Sequence, residues 1–190
     1  MSLDNNDFTR QTRRRMRRHY HRRRLRHRLD FEDQVEEARV ALVGNANVRK
    51  SVIFGRFTGK YASVSNYPGT TVEVSRGTSI IDGHEVEIID TPGISSLLAT
   101  SEDEEVARRI ILDENTTTIV QVADAKNLRR ALHLALQLAE TGLPQVLALN
   151  MMDEAEKVGI SIDFDTLSLL LGIPVVPTGA IEGKGNPALR

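Results

Sequence analysis

Cysteine is absent from this 190-residue chain, which excludes a disulfide framework and every thiolate metal site. Long apolar runs are absent as well. The longest stretches, "VLALNMM" and "LSLLLGIPVV", fall short of the roughly 18 residues that a membrane span needs. No secretory signal with a small-residue cleavage site precedes the apolar core, so a reducing, cytoplasmic setting is expected. What is present, 40% hydrophobic residues with no internal repeat, suffices for one sizeable core.

The net charge of -1 conceals a division. Eleven arginines lie between Arg10 and Arg28, whereas residues 29–190 hold 14 basic and 24 acidic side chains. The stretch "RRRMRRHYHRRRLRH" is too polar and too self-repelling to bury the surface that ordering requires. Residues 1–37 are therefore expected to form a disordered basic tail. It is either simply solvated or an electrostatic anchor for an anionic partner, lipid or RNA, with Tyr20 as the one ring there that could stack on a base. His19, His21 and His27 sit among arginines that repel a divalent cation, and no carboxylate completes a zinc set.

From residue 38 the pattern changes to short apolar runs alternating with helical stretches, which predicts an α/β fold with a mostly parallel sheet and helices on both faces. Six strands are predicted: "RVALVG", "TVEVSRGTSII", "EVEIID", "TTTIVQVAD", "QVLALN" and "IPVVPTG". The second and third form an antiparallel hairpin through Asp82-Gly83, so the sheet is mixed. "SVSNYPGT" reads as a polar loop. Helices are predicted from Lys50 to Phe57, over "NLRRALHLALQLAETG" and over "DFDTLSLLLG". A final helix begins at Asn186-Pro187 and is cut off by the chain end, an expectation of truncation.

Four motifs fall at the predicted strand ends. "GNANVRKS", Gly44 to Ser51, follows a strand and opens a helix, the context in which backbone N–H groups and a helix N-terminus wrap phosphates. Lys50 would neutralise the phosphates and Ser51 would ligate Mg²⁺. In "YPGTTVE", Thr70 and Thr71 could offer the γ-phosphate a backbone contact, and Thr71 a second hydroxyl to Mg²⁺; otherwise they are turn threonines. "DTPG" supplies Asp90 to hold the metal through water and Gly93 to approach the γ-phosphate. "NMMD" contributes Asn150, Met151 and Asp153, whose carboxylate can accept from the donor pair of guanine, or merely cap a helix. "TGA", Thr178, Gly179 and Ala180, could present N–H groups to the guanine oxygen. Singly each is weak, and their order makes the set specific.

From about Arg39 onward the chain resembles the G domain of the bacterial ferrous-iron transporter FeoB, a P-loop GTPase. The resemblance rests on "SNYPGTTVEVSRG", "IIDTPG", "DAKNLRRALHLALQLAETGLP" and "ALNMMDEAEKVGISID". It implies a domain over residues 38–190 that binds GTP and GDP with Mg²⁺ at the cytoplasmic face of the membrane and regulates Fe²⁺ uptake by membrane helices that this chain does not include. It further implies K⁺-stimulated hydrolysis, with Asn47 helping to hold the ion. Ile94 stands where other GTPases place a water-orienting glutamine, so no side chain is an evident base and catalysis would rest on positioning and electrostatics.

The family pattern is "GNPNVGKS", and this chain departs from it at Ala46 and at Arg49. Loss of the proline is mild. Arg49 replaces a glycine that permits a left-handed backbone and close phosphate approach. If Arg49 is left-handed, strain of order 1 to 3 kcal/mol is expected to weaken binding roughly tenfold to over a hundredfold. Three readings follow: a GTPase whose phosphate contacts, from Gly44, Asn45 and Ala46 through Val48 to Lys50, are impaired by Arg49, an inactive GTPase-like interaction module, or an RNA- or ribosome-associated GTPase anchored by its tail.

Overall fold

The computed structural model describes residues 38–59 and 62–179. The arginine-rich segment with its three histidines, the "GKGNPALR" turn with its anticipated helix, and Ala180 lie outside the described residues. β1 (Ala38–Val43) runs through the middle of the sheet. Its side chains alternate, Ala41 and Val43 entering one apolar cluster and Leu42 another, as a strand covered on both faces requires. β1 pairs in parallel with β4 (His84–Asp90) on one side and β5 (Thr118–Asp124) on the other. β6 (Gln145–Asn150) adds to β5 and β7 (Val175–Pro177) to β6, both in parallel.

β3 (Glu73–Ile81) is antiparallel to β4. The two are joined by Asp82 and Gly83 at φ 50° and 85°, the pair of positive values that a tight hairpin turn of this twist demands. The sheet has seven strands, not the six predicted, in the order β2-β3-β4-β1-β5-β6-β7. The additional strand, β2 (Ala62–Asn66), includes residues assigned from sequence to a loop. All five of its residues are exposed, so no buried face stamps an apolar alternation on the sequence. Ladder bonds to β3, from Ala62 opposite Gly77 to Asn66 opposite Glu73, define it instead.

α1 (Lys50–Thr58) covers one face, placing Ile53 and Phe54 among Leu42, Ile88 and Val122. α2 (Glu102–Asp113) and α3 (Leu128–Glu140) cover the other, packing Val106, Ile110, Leu134 and Leu138 on Ala41, Val43 and Ile89. α2 is an addition to the predicted helices. Ser101 caps it, accepting the Glu104 amide at 3.2 Å, a contribution of about 1 kcal/mol. α4 (Met152–Lys157), also additional, and α5 (Phe164–Leu171) follow β6. Because β1, β4, β5, β6 and β7 run the same way, their carboxyl ends share one edge of the sheet, the usual ligand edge of an open α/β sheet. Among the described residues no helix is long and apolar enough to cross a membrane.

Candidate nucleotide site

The loop after β1 is shaped by two close approaches. A Cβ on Gly44 would stand 2.1 Å from the Val122 backbone oxygen, so only glycine lets β1 and β5 lie this close at their ends. Val48 is buried in the α1-side cluster and pins the far end of the loop. Between these anchors the backbone turns through left-handed Asn47 at φ 66° and left-handed Arg49 at φ 61°, ψ 34°. Arg49 is the N-cap of α1 and makes no side-chain cap bond. Among the described residues, none of the amides from Asn47 to Ser51 donates to a backbone carbonyl outside the helix. A cluster of free donors at a helix N-terminus is what an anion needs.

The turn after β4 is stitched to this loop. The Thr91 amide and hydroxyl both donate to the Leu42 carbonyl, at 3.2 Å and 2.9 Å, and the Ile94 amide donates to the Gly44 carbonyl at 2.9 Å. Gly93 lies so near that a Cβ there would meet the Ala46 nitrogen at 3.0 Å. Lys50 is buried and its ammonium donates to the Asp90 carboxylate and the Thr91 carbonyl. These segments enclose a cleft of about 580 Å³, closed on its far side by Val64, Glu73 and Ser75 of β2 and β3. Among its lining side chains, the Ser51 hydroxyl and the Asp90 carboxylate offer oxygen, the ligand type that a hard divalent cation such as Mg²⁺ takes.

Of the residues predicted to touch phosphate or metal, Asn45, Ala46, Asn47, Arg49, Lys50, Ser51, Asp90 and Gly93 line this cleft. Thr70 and Thr71 do not. The Thr70 hydroxyl donates to the Tyr67 carbonyl at 3.0 Å and accepts the Val72 amide at 3.2 Å, and Thr71 is exposed.

Residues of the two motifs predicted to read guanine lie beside the loop. Asn150 is fully buried and its side-chain amide donates to the Val48 carbonyl at 2.9 Å, while the Thr178 hydroxyl reaches the Asn150 oxygen at 3.3 Å. The Thr178 amide donates to the Leu149 carbonyl at 2.8 Å, and Gly179 is buried next to it. Met151, left-handed at φ 61°, opens α4, and the partly exposed Asp153 occupies its first turn.

One element of this edge was not anticipated from sequence. Glu154 accepts the Arg49 guanidinium at 2.7 Å and, with its other oxygen, the Lys126 ammonium, which stands 2.5 Å away. Lys126 also lies 3.9 Å from Asp124. The hydrogen bond to Glu154 raises the Lys126 pKa, with Asp124 adding to it. The sequence signal was the acid directly after Asp153, unreadable without knowing that β1 and β6 deliver their following turns to one place.

Known proteins share this sequence pattern and this fold. Residues 38–190 match the family described as Ferrous iron transport protein B. The chain is 47% identical over 152 residues to a Fe(2+) transport protein A/Fe(2+) transporter FeoB fusion protein of Porphyromonas gingivalis, a match covering 80% of this chain and 18% of that one. It is 43% identical over 155 residues to the Fe(2+) transporter FeoB of Salmonella typhimurium, covering 80% of this chain and 20% of the relative. The chain thus spans about one fifth of the length of the curated relatives it matches. Among solved structures, the cytosolic domain of L. pneumophila FeoB superposes with a TM-score of 0.77 at 43% identity, covering 80% of this chain and 67% of that one. The G domain of T. maritima FeoB gives 0.75 at 37% identity and is itself 94% covered, against 81% of this chain. The chain belongs to the ferrous iron transport protein B family, and what it holds of that family is the G domain.

Proposed function

We propose that this chain binds GDP and GTP with Mg²⁺ in the cleft between Gly44–Ser51 and Asp90–Gly93, with affinity reduced by Arg49, as the cytoplasmic regulatory domain of a ferrous-iron transporter. The observation that carries the reading is the cluster of unclaimed amides at the N-terminus of α1, facing a cleft that also holds Lys50, Ser51 and Asp90. A solved cytosolic domain of T. maritima FeoB, similar to this chain at 38% identity with a TM-score of 0.77, is described in GDP form.

Each residue of the cleft takes a role in this reading. The loop amides and Lys50 take the phosphates. Phosphate gives Lys50 a new anionic partner and frees Asp90, which with Ser51 would hold Mg²⁺, Asp90 through water. The bound ion neutralises phosphate charge. Asn47, on the cleft wall, would contribute to a K⁺ site. Thr71 would have to leave its present exposed position to reach the metal. Asn150 ties the turn proposed to read guanine to the loop, Asp153 would supply the carboxylate for guanine, and Thr178 and Gly179 would lie beside it. Ile94 is buried after Gly93 and offers no base, so hydrolysis would rest on electrostatics and be slow.

Arg49 is left-handed at φ 61°, ψ 34°, a conformation that costs a residue with a Cβ about 1 to 2 kcal/mol. The Arg49 stem also lines the cleft where a glycine would leave room, so both the backbone and the stem would lower affinity. Iron passage itself would belong to membrane helices of the full transporter. The test is titration of a fluorescent GDP analogue with Mg²⁺ and K⁺ into this chain and its Arg49→Gly variant. The variant is expected to bind about tenfold more tightly, the size of roughly 1.4 kcal/mol. Equal affinities would show that the loop tolerates arginine. Failure of both to bind would overturn the nucleotide reading.

A further inference from the structure

We propose that Glu154 is a positioning residue that holds the Arg49 guanidinium clear of the phosphate cleft, so that a loop with arginine in place of glycine retains its nucleotide site. The proposal rests on the nucleotide reading above and adds a residue to it.

Arg49 lines the cleft together with two carboxylates, Glu73 and Asp90. A guanidinium on a flexible stem, left to itself, seeks a carboxylate with fork geometry. The carboxylates lining this cleft include Asp90, the acid that Lys50 engages and that a divalent cation would need. Pairing there would place a bulky cation across the phosphate path. The structure directs the side chain elsewhere. Its Nη2 donates to Glu154 at 2.7 Å, with both side chains about 30% exposed (31% and 28%). Glu154 is carried by the first turn of α4, beside Asp153, so the acceptor stands on the guanine side of the site and not the phosphate side. With the guanidinium held there, the amides of Asn47 to Ser51 keep no outside backbone acceptor among the described residues.

The surrounding charges define how firmly Arg49 is held. Glu154 is shared with Lys126, and Lys126 also faces Asp124 from the turn after β5. The two cations share one carboxylate through different oxygens, and Lys126 has a second acid to fall back on while Arg49 does not in this cluster. Removing Lys126 should therefore leave the parked position of Arg49 intact, whereas removing Glu154 should release it. A Glu154 that merely supported α4 would act the same whatever residue stood at position 49.

The experiment is a double-substitution cycle on GDP affinity in Mg²⁺ and K⁺, using the full chain, Glu154→Ala, Glu154→Gln, Arg49→Gly and the two combinations. Glu154→Ala is expected to weaken GDP binding about fivefold when Arg49 is present, the scale of a partly exposed ion pair, and by less than twofold when glycine replaces it. Glu154→Gln should fall between, and Glu154→Asp should restore part of the loss. Lys126→Met should leave affinity within twofold. Thermal melts of each variant establish that it is folded, and Glu154→Gln keeps the test readable should the alanine variant melt early. Equal losses at both position-49 residues would overturn the proposal, as would no loss, or tighter binding, on removing Glu154 from the arginine chain. Binding by Arg49→Gly alone, with none by the unmodified chain, would overturn it too, because the pair would then preserve no affinity. If neither the unmodified chain nor any Arg49→Gly variant binds GDP, it is the nucleotide reading that fails.

Discussion

The Asn150 side-chain amide donates to the Val48 carbonyl at 2.9 Å, joining positions 102 residues apart. The bond spans the two halves of the proposed site, because Val48 belongs to the loop after β1 and Asn150 to the turn proposed to read the base. Asn150 is fully buried, so Asn150→Ala would leave the Val48 carbonyl without this donor and the Thr178 hydroxyl without its side-chain partner. The expected cost is about 2 kcal/mol of unfolding free energy, read by urea denaturation without nucleotide. A loss below experimental error would mean that Asn150 acts only when ligand is present.

Gly44 supplies a second check, independent of any ligand. Its missing Cβ would overlap the Val122 oxygen at 2.1 Å, and both partners are backbone in adjacent strands, so no rotamer change relieves the overlap. Gly44→Ala is expected to destabilise the fold by about 3 kcal/mol, whereas Gly55→Ala, with open space around its Cβ position, should be neutral or stabilising because alanine is the better helix former. Similar melting temperatures for the two variants would contradict the strand spacing on which the site depends.

The parallel core of this fold was legible because buried strands leave continuous apolar runs: "RVALVG" and "QVLALN" could be little else. β2 was not, because a wholly exposed edge strand is held by backbone ladder bonds that any polar sequence can make. The phosphate loop and "DTPG" were readable as spaced motifs, and the structure brings them to one cleft. The Arg49–Glu154 pair was hidden because its members are far apart in the chain and neither belongs to a spacing pattern. The left-handed state of Arg49 could be posed as a question from sequence, and the backbone at φ 61° answers it.

Tyr67 offers a test by pH. It packs against the apolar cluster under α2, and burial first, then a hydrogen bond and the negative charge of Glu114, raise its pKa above the ordinary phenol value, which is about 10. The neutral phenol is therefore favoured in the folded chain. Its contribution to stability is fully present below the unfolded value and is lost as pH rises through the higher folded one. In an ultraviolet titration, the tyrosinate signal removed by Tyr67→Phe should appear above pH 10, and Glu114→Gln should bring it earlier. A Tyr67 signal at or below the free-phenol value would contradict this placement of the Tyr67 ring.

The backbone of Arg49 can be separated from its side chain by comparing two substitutions. Arg49→Ala and Arg49→Gly both remove the ion pair with Glu154, so the pair cancels in the difference. What remains is the left-handed conformation at φ 61°, ψ 34°. It costs a residue with a Cβ about 1 to 2 kcal/mol and is partly offset by the greater freedom of glycine in the unfolded chain. The glycine variant is expected to be more stable than the alanine variant by about 1 kcal/mol, measured by chemical denaturation without nucleotide. If alanine proves the more stable, position 49 is right-handed in the free chain. The strain would then arise only on binding, and the affinity gain of Arg49→Gly for GDP would have to exceed tenfold to account for it.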